Sequence, residues 1–475
     1  MMLVPILLPL LGGLLVFLLK GEKLRTAAVL ATLAATAVSM YRLAVAAVQP
    51  LVLLELAGGL TIRFAADGVG LLFAAVMLFA WLFVVPFAVP YIHHEGHERR
   101  YFGFYTMTAG ILMGLCLAGN FLTMYLFYEC MTLITVPLVL HTGTKEAQHA
   151  AIKYLGYSVA GAALALFGAF MAAQWGGMGD FAPGGILAAA PPAAVAAWFL
   201  MFMGFGCKAG ILPLQAWLTT AHPVAPAPAS AVLSGIITKG GVLAIVRATY
   251  FIFGAESLRG SWAQRTLFAL VLLTVFTGSM LAWKEKRLKR RLAYSTISQV
   301  SYALLGLLLL STQGVLGALL QIVFHALAKN ALFLSAGAMI YRTGRLECRE
   351  YRGIGREMPV TLGCFALAAL SLVGVPPCGG FYAKWFLALG AMEHGLGFGV
   401  AAASVLLASA LLTALYLLPI VADGFFPGED FVPREKEAPW AMCFSTLVFS
   451  LGVLVLGVFS APLERILSAV AASLF

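Results

Sequence analysis

Six ionisable side chains lie within long apolar stretches of this sequence, and all six are of types that bind and release protons. They are Glu129, Lys208, Lys239, His325, Lys329 and Lys384. Each charge at the centre of a membrane costs about 2.5–3.5 kcal/mol, so a set of lysines there is expensive unless it has a function. Amine, imidazole and carboxylate groups exchange protons with their neighbours. These residues are therefore candidates for a proton relay.

Spacing relates several of these residues to one another. His325 and Lys329 stand four apart, so on a helix they share one face, within reach of proton transfer directly or through a water molecule. Glu129 is the one carboxylate well inside an apolar stretch, where it must be neutralised or pair with a cation. We expect Glu129 to pair with Lys208, or else with Lys239. The alternatives are a purely structural ion pair and a histidine that is merely hydrogen-bonded in the core.

The composition indicates that these residues are surrounded by a bilayer. Of 475 residues, 62% are hydrophobic and 11% are charged, against roughly 25% charged residues in an ordinary soluble domain. The mean hydropathy is +0.96. A water-soluble enzyme is excluded. The net charge of +10 does not indicate a nucleic-acid binder, because the polar surface that would display this charge is missing.

Apolar runs long enough to cross a bilayer fill most of the chain, which predicts an all-α polytopic membrane protein. A crossing needs about 20 apolar residues. By this criterion fourteen spans are predicted, at 2–19, 24–48, 67–90, 101–119, 121–141, 153–174, 189–218, 229–253, 263–283, 292–311, 314–341, 359–392, 397–422 and 439–459.

Two of the predicted spans are too long and are interrupted by glycine and proline, which predicts broken helices. The seventh span contains Gly204, Gly206, Gly210 and Pro213, and the twelfth contains Gly374, Pro376, Pro377, Gly379 and Gly380. They lie five spans apart, so spans 4–8 and 9–13 are predicted to form two inverted five-helix repeats. A broken helix exposes free backbone groups and admits water, and Lys208 and Lys384 both lie near such a break.

The expected organisation is a single membrane domain over 1–475. The segment 51–67 alternates in hydropathy and is interrupted by Gly58 and Gly59, which predicts a small β-hairpin on the outer membrane surface. The expected parts are three N-terminal helices with this hairpin at 1–100, the two repeats at 101–253 and 263–422, and a C-terminal helix at 439–475.

Charges outside the spans predict the orientation. Loops that follow odd-numbered spans hold twenty Lys and Arg residues, Arg434 among them, and the even-numbered loops with the C-terminal end hold five. This positive-inside bias predicts odd loops in the cytoplasm, both termini on the outer face, and residence in the cell inner (cytoplasmic) membrane. Lys145 and Lys153 are expected in a loop as surface anchors, and Arg247 is expected to snorkel to the outer end of its span.

Signals of other chemistry are weak. The seven cysteines never reach C-x-x-C spacing, and no nucleotide-binding fingerprint or nucleophile elbow is present. The segment His93-His94-Glu95-Gly96-His97 offers metal ligands, but adjacent histidines in a flexible loop are more often solvated. We therefore expect no metal, no cofactor and no redox or hydrolytic centre in this chain, and its status as an enzyme stays open.

Three stretches resemble a known family. These are GCKAGILPLQAWLTTAHPVAPAPASAVLSGIITKGG (206–241), HALAKNALFLSAGAMIYRTG (325–344) and GVPPCGGFYAKWFLALGAME (374–393). They are similar to the antiporter-like subunits of respiratory complex I, of Mrp-type cation/proton antiporters and of group 4 membrane hydrogenases. The resemblance covers nearly the whole chain.

The resemblance implies a fold and a relay. In that family, fourteen helices with two inverted five-helix repeats form a proton channel. By resemblance, Glu129 and Lys208 match the paired residues of helices five and seven, Lys239 matches the central lysine, and Lys384 matches the lysine of the broken twelfth helix. His325 and Lys329 match the relay between them, and Lys153 is assigned an auxiliary part.

The chain also departs from the family pattern. Gln215 and Thr219 stand where relatives commonly carry the His and Pro of PLHxWLPxAH, so a titratable ring near the first break is missing. Lys384, in place of a glutamate, is typical of the N-like, L-like and Mrp D-like members. The motifs as a whole resemble the Mrp D and hydrogenase branch most.

Two functions from different classes remain. The first is a proton-translocating subunit of a larger complex, whose partners are other membrane subunits and whose driving force the sequence does not identify. The second is a stand-alone transporter of an anionic solute, in which the lysines bind substrate. Lysines spread over four spans favour the first. One mid-span carboxylate among these lysines also suits protons better than Na⁺, which prefers several oxygen ligands.

Overall fold

Helices make up most of the chain in the computed structural model, which describes residues 1–46, 48–187, 191–428, 431–433 and 435–475. The predicted spans 24–48 and 189–218 each include residues outside this description, and Arg434 also lies outside it. The α-helices are α1 Val4–Leu18, α2 Glu22–Val45, α3 Gly68–Glu95, α4 Glu98–Cys116, α5 Phe121–Val139, α6 Lys145–Ala173, α7 Ala194–Ala209, α8 Leu218–Val224, α9 Ala227–Val232, α10 Thr238–Val246, α11 Ala255–Leu258, α12 Trp262–Lys284, α13 Leu288–Leu308, α14 Thr312–Thr343, α15 Ile354–Glu357, α16 Pro359–Val373, α17 Gly379–Met392, α18 Leu396–Phe425, α19 Trp440–Val458 and α20 Ser460–Ala472.

Within the described residues, nine helices are long and apolar enough to cross a membrane, and α1, α7 and α16 are shorter apolar helices. Two of the nine contain an apolar 18-residue stretch that is completely buried by the rest of the protein: α14, whose two ends are exposed, and the continuous helix Ala227–Phe253 that contains α9 and α10. The other seven leave part of their surface exposed. The core of the fold is therefore built around two helices, and these carry Lys239, His325 and Lys329.

The two breaks have the same backbone structure. The first helix of each pair, α7 or α16, ends at a glycine in the left-handed region, Gly210 with φ +94° and Gly374 with φ +92°. The amide of the residue after each glycine donates to a carbonyl five residues back, Ile211 to Gly206 and Val375 to Leu370. This is the Schellman arrangement, which ends a helix without a strained side chain. The predicted broken helices are thus present, with α8 and α17 as the second segments.

Two parts of the chain differ from the prediction. Helix α6 begins at Lys145 rather than at 153, because the Thr144 hydroxyl accepts a hydrogen bond from the Ala147 amide and caps the helix earlier. Lys145 and Lys153 therefore lie on a helix and not in a loop. The C-terminal region contains two helices, α19 and α20, where a single helix was expected.

The predicted β-hairpin is confirmed. Strands β1 Leu51–Glu55 and β2 Thr61–Phe64 pair in antiparallel orientation, with Leu51 opposite Phe64 and Glu55 opposite Thr61. Gly58 and Gly59, both at φ +76°, form the turn. The Asn120 side-chain amide donates to the Thr61 carbonyl and so attaches the hairpin to the start of α5.

Replacing Gly210 with alanine tests the first break. A residue with a side chain in the left-handed region costs about 1–2 kcal/mol, and an added Cβ would lie 2.5 Å from Leu218 Cδ1. We expect the Gly210→Ala variant to lose about 1–2 kcal/mol of unfolding free energy, measured by denaturation in detergent.

Gly156→Ala is the matched control. Gly156 lies on the exposed side of α6, and nothing lies within 4 Å of its added Cβ. Alanine there should raise the unfolding free energy by about 0.5–1 kcal/mol, because it lowers the entropy of the unfolded chain. Equal losses in the two variants would contradict the special role of Gly210.

Candidate functional site

Lys239 and His325 form the centre of the buried site. Lys239 Nζ lies 2.5 Å from His325 Nδ1, and both side chains are almost completely buried. A π-helical turn at Leu233–Ile237 comes just before Lys239, and the lysine amine donates to the Ser234 carbonyl at 3.0 Å. Such widened turns are frequent at functional sites. When the amine donates to Nδ1, the imidazole proton resides on Nε2.

Lys329 lies one helical turn after His325 on α14 but has different partners. Its amine donates to the Leu292 carbonyl at 3.0 Å and to the Ser295 hydroxyl. Both partners lie on α13. The predicted pair therefore shares a helix, while each of the two side chains contacts a different neighbouring helix. His325 connects α14 to the helix of Lys239, and Lys329 connects α14 to α13.

Two glutamines next to this centre were missed in the sequence analysis. Gln299 and Gln321 line the small gap beside Lys239 and His325. The Gln321 amide donates to the Gln299 carbonyl at 3.0 Å and to its side-chain oxygen at 3.1 Å. The spacing contained the signal, because Gln321, His325 and Lys329 follow one another at intervals of four and so form one polar stripe on α14.

Lys208 does not form the predicted ion pair with Glu129. Its amine lies 2.5 Å from the Thr132 hydroxyl and over the rings of Tyr128 and Tyr154, at 5.0 and 5.4 Å from their centroids. Tyr128 and Thr132 are four apart on α5 and face α7. Glu129 follows Tyr128 and is rotated by about 100° around the helix, away from the lysine.

Glu129 itself is only half-buried on α5. Its oxygen Oε1 is buried without a hydrogen-bond partner among the described residues. The neighbouring positions of the same helix face, Leu126 and Leu133, are 47% and 59% exposed. The carboxylate thus lies at the edge of the helix bundle, next to a surface that an adjacent molecule can cover.

Lys384 lies at the second break, as the sequence analysis expected. Its amine donates to the carbonyls of Leu372 and Val373, both at 2.6 Å. These are the last carbonyls of α16, where a cation is stabilised by the helix dipole. The amine also lies 5.4 Å from the centre of the Tyr302 ring. At the first break the corresponding contact is neutral, because the Trp217 indole donates to the Cys207 carbonyl at 2.9 Å.

Arg247 differs from the prediction that it snorkels to the membrane surface. Its side chain is completely buried, and its guanidinium pairs with Asp67 at 2.6 Å. The Phe251 ring lies against it, at 4.4 Å from the ring centre. Asp67 also caps α3 by accepting from the Gly70 amide. Because the Asp67 carboxylate pairs with the guanidinium, Arg247 does not need to reach water, and we assign it a structural role.

The remaining candidates lie outside this centre. Lys153 is half-exposed on α6. Thr219, at a departure from the family pattern, donates its hydroxyl to the Ala216 carbonyl at 3.2 Å. His222, which the sequence analysis did not assign to the relay, is completely buried, and neither ring nitrogen has a hydrogen-bond partner in the described part of the chain.

One surface cluster has the residue types of a metal site. Ligand atoms of Glu22, His93 and Glu98 lie within 4.8 Å of one another. His93 Nδ1 is 2.5 Å from Glu98, and the same carboxylate also pairs with Arg25. A metal ion would have to displace this guanidinium. The contacts therefore fit an ion-pair cluster between α2, α3 and α4.

The fold and the buried groups define a multi-pass membrane protein with titratable side chains in its core. Residues 118–411 match the family described as "NADH:quinone oxidoreductase/Mrp antiporter, TM", and the chain belongs to this family.

Relatives in sequence and in structure agree with this assignment. The chain is 32% identical to the N subunit of the NADH-quinone oxidoreductase of Desulforudis audaxviator, over 88% of this chain and 83% of that protein. It is 30% identical to the D subunit of the Na(+)/H(+) antiporter of Alkalihalophilus pseudofirmus, over 74% of this chain and 70% of that protein. A protein in the Mrp complex of Dietzia sp. has the same fold, with a TM-score of 0.89 and 24% identity, over 100% of this chain and 97% of that protein.

Replacement of Arg247, which pairs with a carboxylate, and replacement of Lys239, which does not, should have opposite effects on stability. Arg247→Met leaves Asp67 without its partner and should lower the unfolding free energy by about 2 kcal/mol. This is less than the 3–5 kcal/mol typical of fully buried pairs, because Asp67 is 31% exposed. Lys239→Met removes an amine with no carboxylate within 4.0 Å in the described residues, and should leave stability unchanged or raise it.

The measurement is denaturation of each purified variant in the same detergent. A clear loss of stability in Lys239→Met, similar to that in Arg247→Met, would mean that Lys239 has a structural role.

Proposed function

We propose that this chain is a proton-translocating, antiporter-like subunit of a multi-subunit membrane complex. The observation that carries the proposal is the direct contact between Lys239 and His325 inside the buried stretches of their two helices. A lysine amine against an imidazole, with no carboxylate paired to either of them among the described residues, is a poor structural pair. It is a good proton-exchange pair, because either nitrogen can hold the proton.

The proposed relay contains the residues that the sequence singled out. Protons move among Glu129, Lys208, Lys239, His325, Lys329 and Lys384. Lys153, on the half-exposed side of α6, has an auxiliary part. Lys208 exchanges with the exterior of the bundle through Thr132 and the nearby Glu129, and Lys384 does so at the free carbonyls of α16. No metal or cofactor takes part within the chain.

The proposed topology has fourteen membrane spans. Spans 4–8 and 9–13 form two inverted five-helix repeats, at 101–253 and 263–422. The Schellman endings of α7 and α16 support this proposal, because each occupies the same place in its repeat. The positive-inside bias supports odd-numbered loops in the cytoplasm, both termini on the outer face, and residence in the inner (cytoplasmic) membrane.

The proposed partners are other membrane subunits. The two relatives are named as subunits of an NADH-quinone oxidoreductase and of a Na(+)/H(+) antiporter. The half-buried Glu129 at the edge of the bundle fits a position beside such a neighbour. Any sodium path would then lie in other chains, because three buried lysines and the partly buried Lys384 repel Na⁺. Any redox centre would also lie in the partner subunits.

A stand-alone anion transporter is not favoured. Such a transporter would gather its lysines around one substrate. Here Lys208, Lys329 and Lys384 contact three different sets of neighbours: the α5 hydroxyl, the α13 groups and the α16 carbonyls.

Single substitutions of the relay lysines test the function. In the purified complex reconstituted in liposomes, Lys239→Met, Lys329→Met and Lys384→Met should each lower proton flux by about 100-fold, the scale of a lost acid–base group. Flux is measured with a pH-sensitive dye under an imposed potential. Lys153→Ala should only weaken it. Arg349→Ala, at an exposed position of the turn Cys348–Tyr351, is the control.

Arginine at position 239 distinguishes proton translocation from anion transport. Lys239→Arg keeps the positive charge, but a guanidinium does not release its proton. Proton flux should therefore be lost. Retained transport of an organic anion in Lys239→Arg would instead favour a binding site, and flux in Lys329→Met equal to that in Arg349→Ala would refute the relay.

Glu129→Gln tests the group at the bundle edge. The amide keeps the size of the carboxylate but takes up no proton, so coupled transport should be abolished while the chain stays inserted and assembled. Assembly is measured by affinity purification of the native complex and mass spectrometry, which also identifies the partner subunits. Coupled transport at the normal rate in this variant would remove Glu129 from the relay.

A further inference from the structure

Two rows of hydroxyl groups face each other between α13 and α18, and the proposed relay so far does not use them. One row is Ser295, Ser298 and Tyr302 on α13, and the other is Ser409, Thr413 and Tyr416 on α18. All six side chains are completely buried. Within each row the spacing follows one face of a helix, at i, i+3, i+7 and at i, i+4, i+7. Polar groups buried inside a membrane protein are functional candidates.

The hydroxyls at the end nearer Tyr302 form one connected cluster. The Tyr302 hydroxyl donates to Ser409 Oγ at 2.8 Å, and Ser409 Oγ lies 3.1 Å from Ser298 Oγ. Ser279 on α12 joins them, at 2.6 Å from Ser409 and 2.8 Å from Ser298. Each of these oxygens therefore has a neighbouring oxygen at proton-transfer distance.

The other end has a second set of hydroxyls. The Tyr416 hydroxyl donates to Thr413 Oγ1 at 3.3 Å, and the Ser295 hydroxyl lies beside the Tyr416 hydroxyl. Thr413 in turn donates to the Ser409 backbone carbonyl at 2.7 Å. Because Ser409 and Thr413 are one turn apart on the same face, about 5–6 Å separates their Cβ atoms. One water molecule spans such a distance.

Each end of the two rows touches a lysine of the relay. Ser295 accepts a hydrogen bond from the Lys329 amine. At the opposite end the Lys384 amine lies 5.4 Å from the centre of the Tyr302 ring. The rows extend over seven residues of helix, so they cover about 10 Å along the membrane normal between the two lysines.

We propose that these hydroxyls carry protons between Lys329 and Lys384, with Ser295, Tyr416, Thr413, Ser409 and Tyr302 as successive members. This inference rests on the proposed function. In each step an oxygen accepts a proton from one neighbour and passes its own proton to the next, so one proton moves and every hydroxyl is restored. Among the described residues no hydrogen bond joins Thr413 Oγ1 to Ser409 Oγ, or the Tyr302 hydroxyl to the Lys384 amine, so the path includes one water molecule at each of these two gaps.

Helix packing alone would use these groups differently. A serine or threonine in a membrane helix satisfies its hydroxyl on the carbonyl one turn back, as Thr413 does. The two tyrosines instead direct their hydroxyls to side-chain oxygens of the opposing or the same row. Removal of a packing hydroxyl lowers stability, whereas removal of a relay hydroxyl stops flux in a protein that remains folded.

The test uses tyrosines without hydroxyls in the purified native complex in liposomes. Tyr416→Phe and Tyr302→Phe should each lower proton flux by about tenfold or more, because phenylalanine keeps the ring and removes the transferring oxygen. Tyr250→Phe is the matched control. Its buried hydroxyl donates to the Leu307 carbonyl at 2.7 Å, outside both rows, and its loss should leave flux unchanged.

Thr413 provides a second and independent measurement. Thr413→Val should lose flux, and Thr413→Ser should restore most of the flux that the valine variant loses. A role in packing would instead favour valine, which is closer in shape to threonine. The ratio of flux in H₂O to flux in D₂O provides a further readout. If proton transfer through the hydroxyls limits the rate in a Thr413 variant, this ratio should be larger there than in the Tyr250→Phe control.

The outcomes separate this inference from the proposed function. Lost flux in Lys329→Met and Lys384→Met, with wild-type flux in Tyr416→Phe, Tyr302→Phe and Thr413→Val, would overturn the hydroxyl path and keep the relay. Wild-type flux in the lysine variants would overturn the proposed function itself. Lost flux in both sets, with normal Tyr250→Phe and assembled complexes, supports both.

Discussion

The cost of enclosing basic side chains without acidic partners is the constraint on which this structure depends. Lys239 lies against His325, and Lys329 lies against a carbonyl and a hydroxyl, inside helix stretches that are completely buried. Two basic groups 2.5 Å apart do not both stay charged, so the pair carries at most one positive charge. The π-helical turn before Lys239 supplies a carbonyl to the amine and thereby reduces the cost. The folding energy of the surrounding helices must supply the remainder.

At the two breaks, the free carbonyls at the end of the first helix receive hydrogen bonds from different donors. Both α7 and α16 end in the same Schellman arrangement, and both leave carbonyls that need donors. At the first break an indole donates to such a carbonyl, which leaves Lys208 free to reach across to Thr132. At the second, Lys384 itself is the donor. With the same backbone geometry at both breaks, Lys208 thus contacts the neighbouring helix α5, whereas Lys384 contacts the C-terminal carbonyls of α16.

Arg247 shows what a structural charge looks like in the same fold. It has a carboxylate at 2.6 Å and an aromatic ring against its guanidinium group. The lysines of the proposed relay instead hydrogen-bond to neutral groups, which hold the amine in place without pairing it with a fixed negative charge. The hydroxyl rows on α13 and α18 extend this pattern, because neutral oxygens can accept and donate without a net change of charge. The type of partner therefore distinguishes the two kinds of buried cation.

The sequence was sufficient to predict the titratable residues in the apolar stretches, the membrane class, the hairpin and the two breaks, because these follow from local composition, hydropathy and glycine positions. It also placed Gln321, His325 and Lys329 on one helix stripe, although the glutamine went unrecognised. The hydrogen-bond partners of these side chains, in contrast, depend on how distant helices pack against one another. Neighbouring residues of a helix point about 100° apart, so the rotation of α5 turns Thr132 and not Glu129 toward Lys208. The meeting of the α13 and α18 hydroxyls likewise depends on helix packing between distant segments, which no local pattern records.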